Sequence, residues 1–403
     1  MSMNDSPSSI RYHIAFVGKT NSGKSSLVNA ISNQSMSIVS DIKGTTTDPV
    51  SKSMEILPLG PVVLIDTAGI DDDSALGKER TKKTNLVLGK ADICVYVLDS
   101  SKKITDADIN ALKDIENKKI PYIIVQNKAD LKDAKDQTKV IKEKNLHPSD
   151  ILFVSANNKN DIHALKETIA HIKKEIGPDK KILEGLVKEK DTVMLVIPID
   201  ESAPKGRLIL PQQQVLREIL DSHAISICCQ VNEISYYLYE KNIRPCLVIT
   251  DSQAFGAVSK IVPKDIPLTS FSILFARFKG EIDELIKGSD AIKNIKSEDT
   301  VLISEGCTHH RQCKDIGSVK IPDWVREYSK SAPAFEFTNG NEFPDDTSKY
   351  KLIIHCGGCM LNEKEMKRRQ EIARKCGTPM VNYGIAIAKM HGILDRSIEV
   401  LDL

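Results

Sequence analysis

Three cysteines and two histidines near the end of the chain, in Cys307-Thr308-His309 and His355-Cys356-Gly357-Gly358-Cys359, form its most chemically loaded set. Thiolates are soft ligands, and three of them with imidazole nearby suit either a tetrahedral zinc or an iron–sulfur cluster. The two glycines between Cys356 and Cys359 let the backbone wrap close to a bound group. His310 and Cys313 lie close by in sequence and are either further ligands or ordinary surface residues.

A second set opens the chain. Gly18-Lys19-Thr20-Asn21-Ser22-Gly23-Lys24-Ser25 is a G-x-x-x-x-G-K-S loop, standing between the apolar run 14–17 and a helix-forming stretch from Ser26. Asn21, Ser22, Gly23, Lys24, Ser25 and Ser26 would surround phosphate. The glycines allow backbone N–H groups to close on it, Lys24 reaches the terminal phosphates, and Ser25 offers its hydroxyl to Mg2+. The apolar run 62–65 ends in Asp66-Thr67-Ala68-Gly69, which sets Asp66 behind the magnesium and the Gly69 N–H near the terminal phosphate.

Two further motifs, Asn127-Lys128-Ala129-Asp130 and Ser155-Ala156-Asn157, each follow an apolar run. A carboxylate such as Asp130 accepts from both N1–H and the 2-amino group of guanine, which adenine does not offer, so the nucleotide is GTP. Ile70 follows Gly69 where a water-orienting glutamine would stand, so hydrolysis should be slow without help. Asp71, Asp72 and Asp73 either hold the water or are solvated loop residues.

The elements that must carry these residues are legible as α/β units. Residues 8–176 alternate apolar strand-like runs with amphipathic helices. Gly177-Pro178 punctuates the chain, and a new pattern restarts with strands near 193–197, 225–229 and 246–249 and helices between them, spanning 180–265. From 266 to 403 the phenylalanines of 271–278 form a helical core stripe, and two apolar strands, 301–304 and 352–354, end just before the cysteine motifs. In an open parallel sheet, loops at the carboxyl ends of strands converge at the point where strand order reverses, so the two motifs should build one site. A helix starting near Asn362 would direct its N-terminal dipole at it. The run Lys364-Glu365-Met366-Lys367-Arg368-Arg369 reads as a solvated helix face, or else as a docking surface for an acidic partner.

Composition narrows the function. Lys plus Arg (56) balance Asp plus Glu (55), which argues against a nucleic acid or an anionic membrane as partner. Nine cysteines with no signal peptide and no membrane-length apolar run suggest a reducing cytoplasm. Cys94, Cys228, Cys229 and Cys246 sit inside apolar runs and are expected to be buried and inert.

The nucleotide motifs resemble the translation-factor class of small GTPases, and most closely the branch that includes Era and the tRNA-modifying GTPase TrmE. By that resemblance Thr46, in Gly44-Thr45-Thr46-Thr47-Asp48, closes on magnesium, and Asn21 helps hold K+ against the phosphates. A monovalent ion there supplies positive charge to the transition state. Lys24, Thr46 and Gly69 are then the catalytic set.

With the C-terminal C-x-H and H-C-x-x-C added, the whole chain resembles the HydF family, the maturation GTPases of FeFe-hydrogenase. Segments such as Ala203-Pro204-Lys205-Gly206-Arg207, residues 271–279 and Asn382-Tyr383-Gly384 share in the likeness. The resemblance implies a GTP-binding domain, a dimerisation domain and a cluster-binding domain. It implies a 4Fe-4S cluster on Cys307, Cys356 and Cys359, with His309 or His355 as a labile fourth ligand. The implied cargo is a diiron precursor, received with the aid of two radical-SAM maturation enzymes and delivered by a homodimer to apo FeFe-hydrogenase. The competing reading is a zinc-stapled Era-like GTPase acting in RNA or ribosome assembly. It lacks support from any RNA-binding pattern in the sequence.

Overall fold

The computed structural model describes residues 8–32, 49–69, 75–176, 180–199, 206, 208–306, 316–340 and 342–401. The chain divides into two compact units, Met1–Pro178 and Asp179–Leu403.

The first unit is built in the order β1 (Tyr12–Val17), α1 (Lys24–Ser32), β2 (Val50–Ile56), β3 (Gly60–Asp66), α2 (Ala75–Leu88), β4 (Ile93–Asp99), α3 (Asp106–Asn117), β5 (Tyr122–Asn127), α4 (Thr138–Lys142), β6 (Asp150–Phe153) and α5 (Lys159–Ile176). These strands form one sheet in the order β2-β3-β1-β4-β5-β6, parallel except for β2 on the edge. A parallel sheet is covered by helices on both faces, so its strands are apolar at every position. Ile14 and Phe16 accordingly pack with Leu27, Val28 and Ile31 of α1 and Leu165 of α5, whereas Ala15 and Val17 pack on the other face with Ile109 and Leu112 of α3.

The second unit holds two four-stranded parallel sheets. The first is β7 (Thr192–Val196), β8 (Ile225–Cys229), β9 (Leu247–Thr250) and β10 (Leu268–Ser270), ordered β10-β9-β7-β8. Between its strands lie α6 (Leu210–Asp221) and α7 (Phe255–Ile261). The three residues of β10 lead directly into the next helix. The helix, α8 (Phe271–Lys279), begins only after Ser270, whose side chain caps it by accepting from the Ile273 N–H.

The other sheet comprises β11 (Thr300–Glu305), β12 (Ala334–Asn339), β13 (Leu352–His355) and β14 (Met380–Asn382), ordered β12-β11-β13-β14. The helices α9 (Ile282–Gly288), α10 (Ile321–Ser329), α11 (Glu363–Lys375) and α12 (Tyr383–Met390) accompany it. One continuous core joins Val193, Leu195 and Ile249 of the first sheet to Val301, Ile303 and Ile353 of the second. Phe271 and Phe275 of α8 lie in that core, as the helical stripe implied, and α8 packs against α6 as well as α11 and α12.

Cys94 and Cys229 are buried and Cys246 partly so, but Cys228 is exposed, contrary to its expected burial. The reason is its strand: β8 is a sheet edge, and both Cys228 and, on the opposite face, Ile225 (55% exposed) reach solvent there.

Candidate functional site

The nucleotide loop leaves β1 at Gly18 and turns into α1. Gly23 holds φ at +91°, and a Cβ there would run into the Asn127 side-chain nitrogen, so the loop needs glycine both for its backbone and for the close approach. Asn21 sits at φ +63°, a left-handed conformation that asparagine tolerates. The ammonium of the buried Lys24 donates to the carbonyls of Gly18 (3.0 Å) and Lys19 (2.8 Å). Ser26 is exposed on the first turn of α1.

Ser25 Oγ, on the first turn of α1, donates to Asp66 Oδ2 at the end of β3, at 2.5 Å. Burial raises the Asp66 pKa, opposed by this hydrogen bond and by the charge of Lys24. The pair gathers oxygen donors beside a phosphate-sized loop, the donor chemistry that a hard divalent cation takes. Thr67, next to Asp66, donates from Oγ1 to the Phe16 carbonyl at 2.8 Å and ties Asp66-Thr67-Ala68-Gly69 to β1.

At the other end of the loop, Asn127 Nδ2 donates to the Ser22 carbonyl at 3.0 Å, and Asn127 Oδ1 accepts from the Ala156 N–H at 3.2 Å. Asp130 Oδ1 accepts from Ser155 Oγ (2.7 Å) and Oδ2 from Asn157 Nδ2 (3.3 Å), which holds its carboxyl below the usual range. Lys128 pairs with Asp99 at 2.7 Å. Of the residues predicted to read guanine, Asn127 bonds to Ala156 and Asp130 to Ser155, while Lys128 is held by Asp99 beside them. Thr46, Ile70 and Asp71 to Asp73 lie outside the described residues.

The cysteine site is set by strand order. The chain runs from β11 out to β12 on one side and then crosses to β13 on the other, so β11 and β13 flank the point of reversal. Ser304 lies opposite His355, and the Cys356 N–H donates to the Ser304 carbonyl at 2.9 Å. Cys356 Sγ accepts from the backbone N–H of Gly306 (3.1 Å) and of Gly358 (3.3 Å). Such amides favour thiolate, yet burial dominates and pushes the free Cys356 thiol up to about 11. Burial likewise raises Cys359, with the nearby Lys279 charge opposing it.

Gly358 has φ +60°, and a Cβ there would sit 2.6 Å from Met366 Sδ. The helix α11 starts as expected, with Asn362 Oδ1 capping the Glu365 N–H. Cys307, His309, His310 and Cys313 lie outside the described residues, while Gly306, immediately before Cys307, is placed at the Cys356 sulfur. Among the described residues no group of three or more His, Cys, Asp or Glu side chains forms a metal site. The two described thiols on a strand-end loop, with amides aimed at sulfur, suit a thiolate-bound metal group.

His355 departs from its expected role as a metal ligand. It is 1% exposed, and both ring nitrogens are engaged. Nε2 lies 2.9 Å from Arg369 Nη1, which can only donate, so Nδ1 carries the proton and donates to the Cys356 carbonyl at 2.7 Å. No lone pair is left for a metal in this arrangement. Burial, then the Arg369 charge, pull the His355 pKa down to about 3.

Arg369 is also the main surprise of α11. Far from lying on a solvated face, it is fully buried, donating to Glu365 Oε1 (2.8 Å) and the Gly340 carbonyl (2.5 Å) beneath the Phe343 ring. The signal in the sequence is the four-residue spacing of Glu365 and Arg369 on the side that also carries Met366 and Ala373. Lys279, a second residue with no motif of its own, reaches the Cys356–Cys359 loop from α8. No helix among the described residues is long and apolar enough to cross a membrane.

Comparison with known proteins matches three stretches of the chain. Residues 13–128 match the family described as 50S ribosome-binding GTPase. Residues 182–280 match the hydrogen maturase F dimerization domain, and residues 283–400 the hydrogen maturase F tetramerization domain, together more than half of the chain. GTPase Der of Mycoplasma capricolum is 38% identical over 175 residues, covering 41% of this chain and 40% of its own length. The tRNA modification GTPase MnmE of Clostridioides difficile is 36% identical over 180 residues, covering 44% of this chain and 36% of its own. The chain thus spans well under half the length of these curated relatives. A solved structure of Aquifex aeolicus Era bound to GDP and aluminium fluoride is 20% identical, covers 56% of this chain and 96% of that chain, and has a TM-score of 0.36.

Proposed function

The chain belongs to the hydrogen maturase F family and carries a GTPase domain, and from that premise we propose that it is a GTP-hydrolysing scaffold for iron–sulfur cargo. The observation that carries this reading is the meeting of Gly306 with the Cys356 sulfur at the reversal point of the second sheet. Gly306 is the residue immediately before Cys307 in the sequence, which supports reading the two cysteine motifs as one site.

In the nucleotide site, Lys24 and the loop amides would bind phosphate, and Ser25, Thr46 and Asp66 would hold Mg2+. Asn21 would hold K+, and Asp130 would read guanine. Bound Mg2+ and K+ supply positive charge to the transferring phosphoryl group. The chain's own contribution is to fix Asp66 through Ser25 and to keep Asp130 ionised through Ser155 and Asn157.

In the second unit, Cys307, Cys356 and Cys359 would hold a 4Fe-4S cluster. Three protein thiolates leave one iron open to a further ligand. With His355 engaged, His309 is the histidine left to play the labile part. The cargo is a diiron precursor, brought with the help of radical-SAM maturation enzymes and passed on to apo FeFe-hydrogenase in the cytoplasm. Homodimers would form through β8, the edge strand of its sheet, which carries the exposed Ile225 and Cys228.

Anaerobic reconstitution followed by iron, sulfide and zinc analysis tests the proposal. Brown protein with iron and sulfide in near-equal amounts is expected. Colourless protein with stoichiometric zinc and no iron would replace the scaffold reading with that of a zinc-stapled GTPase.

A further inference from the structure

Lys279 closes α8 and is 1% exposed. Its ammonium donates to the carbonyls of Leu361 (2.6 Å), Gly358 (2.8 Å) and, at longer range, Cys359 (3.4 Å), and it lies 5.3 Å from the Phe275 ring centre. All three acceptors belong to the loop that bears Cys356 and Cys359. Among the described residues Lys279 forms no ion pair with a carboxylate. Glu363, an acid whose charge is felt at Lys279, is paired with Lys180 and Lys367, each at 2.8 Å.

A buried ammonium without a counter-charge is costly, and hydrogen bonds to neutral carbonyls satisfy its donors without neutralising its charge. The anions that its position can serve are the sulfurs of Cys356 and Cys359 once a metal group has taken their protons.

We propose that Lys279 is the internal counter-ion of the Cys356–Cys359 metal site, bracing the loop through three carbonyls and offsetting the negative charge of the metal-bound thiolates. The inference rests on the scaffold reading above for the nature of the metal group, and on the geometry of the loop for the role of the lysine. A cluster held by three thiolates is net negative and becomes more so on reduction, so a fixed cation beside it favours the reduced form and raises the reduction potential. The role is one of positioning and charge, since Lys279 reaches the site through backbone carbonyls.

Two substitutions separate bracing from charge. Lys279→Gln keeps a hydrogen-bond donor and removes the charge, whereas Lys279→Met removes both. After anaerobic reconstitution of the full chain, Lys279→Gln is expected to retain the cluster at a more negative potential in a dithionite titration. Lys279→Met is expected to lose iron to a competing chelator at least about tenfold more readily than wild type. Circular dichroism and thermal melting of the metal-free variants check folding. Should Lys279→Met fail to fold, Lys279→Gln still decides the question of charge.

Both variants matching wild type in potential and chelator resistance would overturn the inference. So would a Lys279→Gln protein with wild-type potential, which would reduce Lys279 to a structural brace. A wild-type protein that binds no iron would instead overturn the scaffold reading. Lys279 would then be tested by cobalt(II) titration of the same thiols, with weaker binding in Lys279→Gln expected and equal binding counting against it.

Discussion

Arg369 donates to His355 at 2.9 Å with both side chains withdrawn from water, so a guanidinium from α11 fixes the tautomer of the imidazole that leads into Cys356. Truncating the histidine would leave an arginine donor without its acceptor inside the protein. His355→Ala should therefore destabilise the second unit by about 1–3 kcal/mol, read as a lower thermal midpoint. The cluster should remain assembled, because the thiols are untouched. A variant that melts like wild type would show that the Arg369–His355 bond carries no weight in the fold.

Guanine recognition should depend on Asp130. Changing Asp130→Asn removes an acceptor for the N1–H and 2-amino group while leaving an oxygen for Ser155. GTP binding should fall by roughly two orders of magnitude or more, and xanthosine nucleotides should bind the variant better than GTP. Unchanged GTP affinity by calorimetry would place the base elsewhere.

The resemblance that assigns Asn21 to K+ implies that hydrolysis is stimulated by K+ over Na+. Steady-state phosphate release in matched potassium and sodium buffers is the measurement. Equal rates would remove the Asn21 assignment and leave the GTPase domain standing.

Each of Cys307→Ser, Cys356→Ser and Cys359→Ser should abolish or degrade the cluster, because a serine hydroxyl is a poor substitute for a soft thiolate. Iron content and the visible absorption of reconstituted protein report this. Full iron retention in any one of them would strike that residue from the ligand set.

Gly358→Ala should disturb the same loop by a different route. The new Cβ meets Met366 Sδ at 2.6 Å with the backbone at φ +60°, so about 1–3 kcal/mol of strain or local rearrangement is expected. Lower iron affinity with all thiols intact is the predicted result, and affinity equal to wild type would mean that the loop shape is not limiting.

The sequence exposed what is local. The nucleotide loop, the Asp66 turn and the guanine motif each occupy a few consecutive residues after an apolar run, and the structure connects Asn127, Ser155, Ala156 and Asp130 by hydrogen bonds. What depends on register was hidden. That His355 is spent on Arg369 follows from β13 lying beside β11 with α11 folded back over them, and hydropathy could not separate the buried Arg369 from its exposed neighbour Lys367. The outward turn of Cys228 depends on which strand ends the sheet, and the three residues of β10 are too few to carry a period of their own.

The continuous core that runs from Val193 to Ile353 makes a demand on the gene as well as on the protein. Residues 182–280 and 283–400 resemble two separate domains, yet α8, from the first, supplies Phe271 and Phe275 to apolar packing shared with the second and sends Lys279 into its cysteine loop. A fragment ending at residue 280 would encode an unfinished interior. Shuffling either stretch alone into another protein would carry over an exposed half of an oily seam.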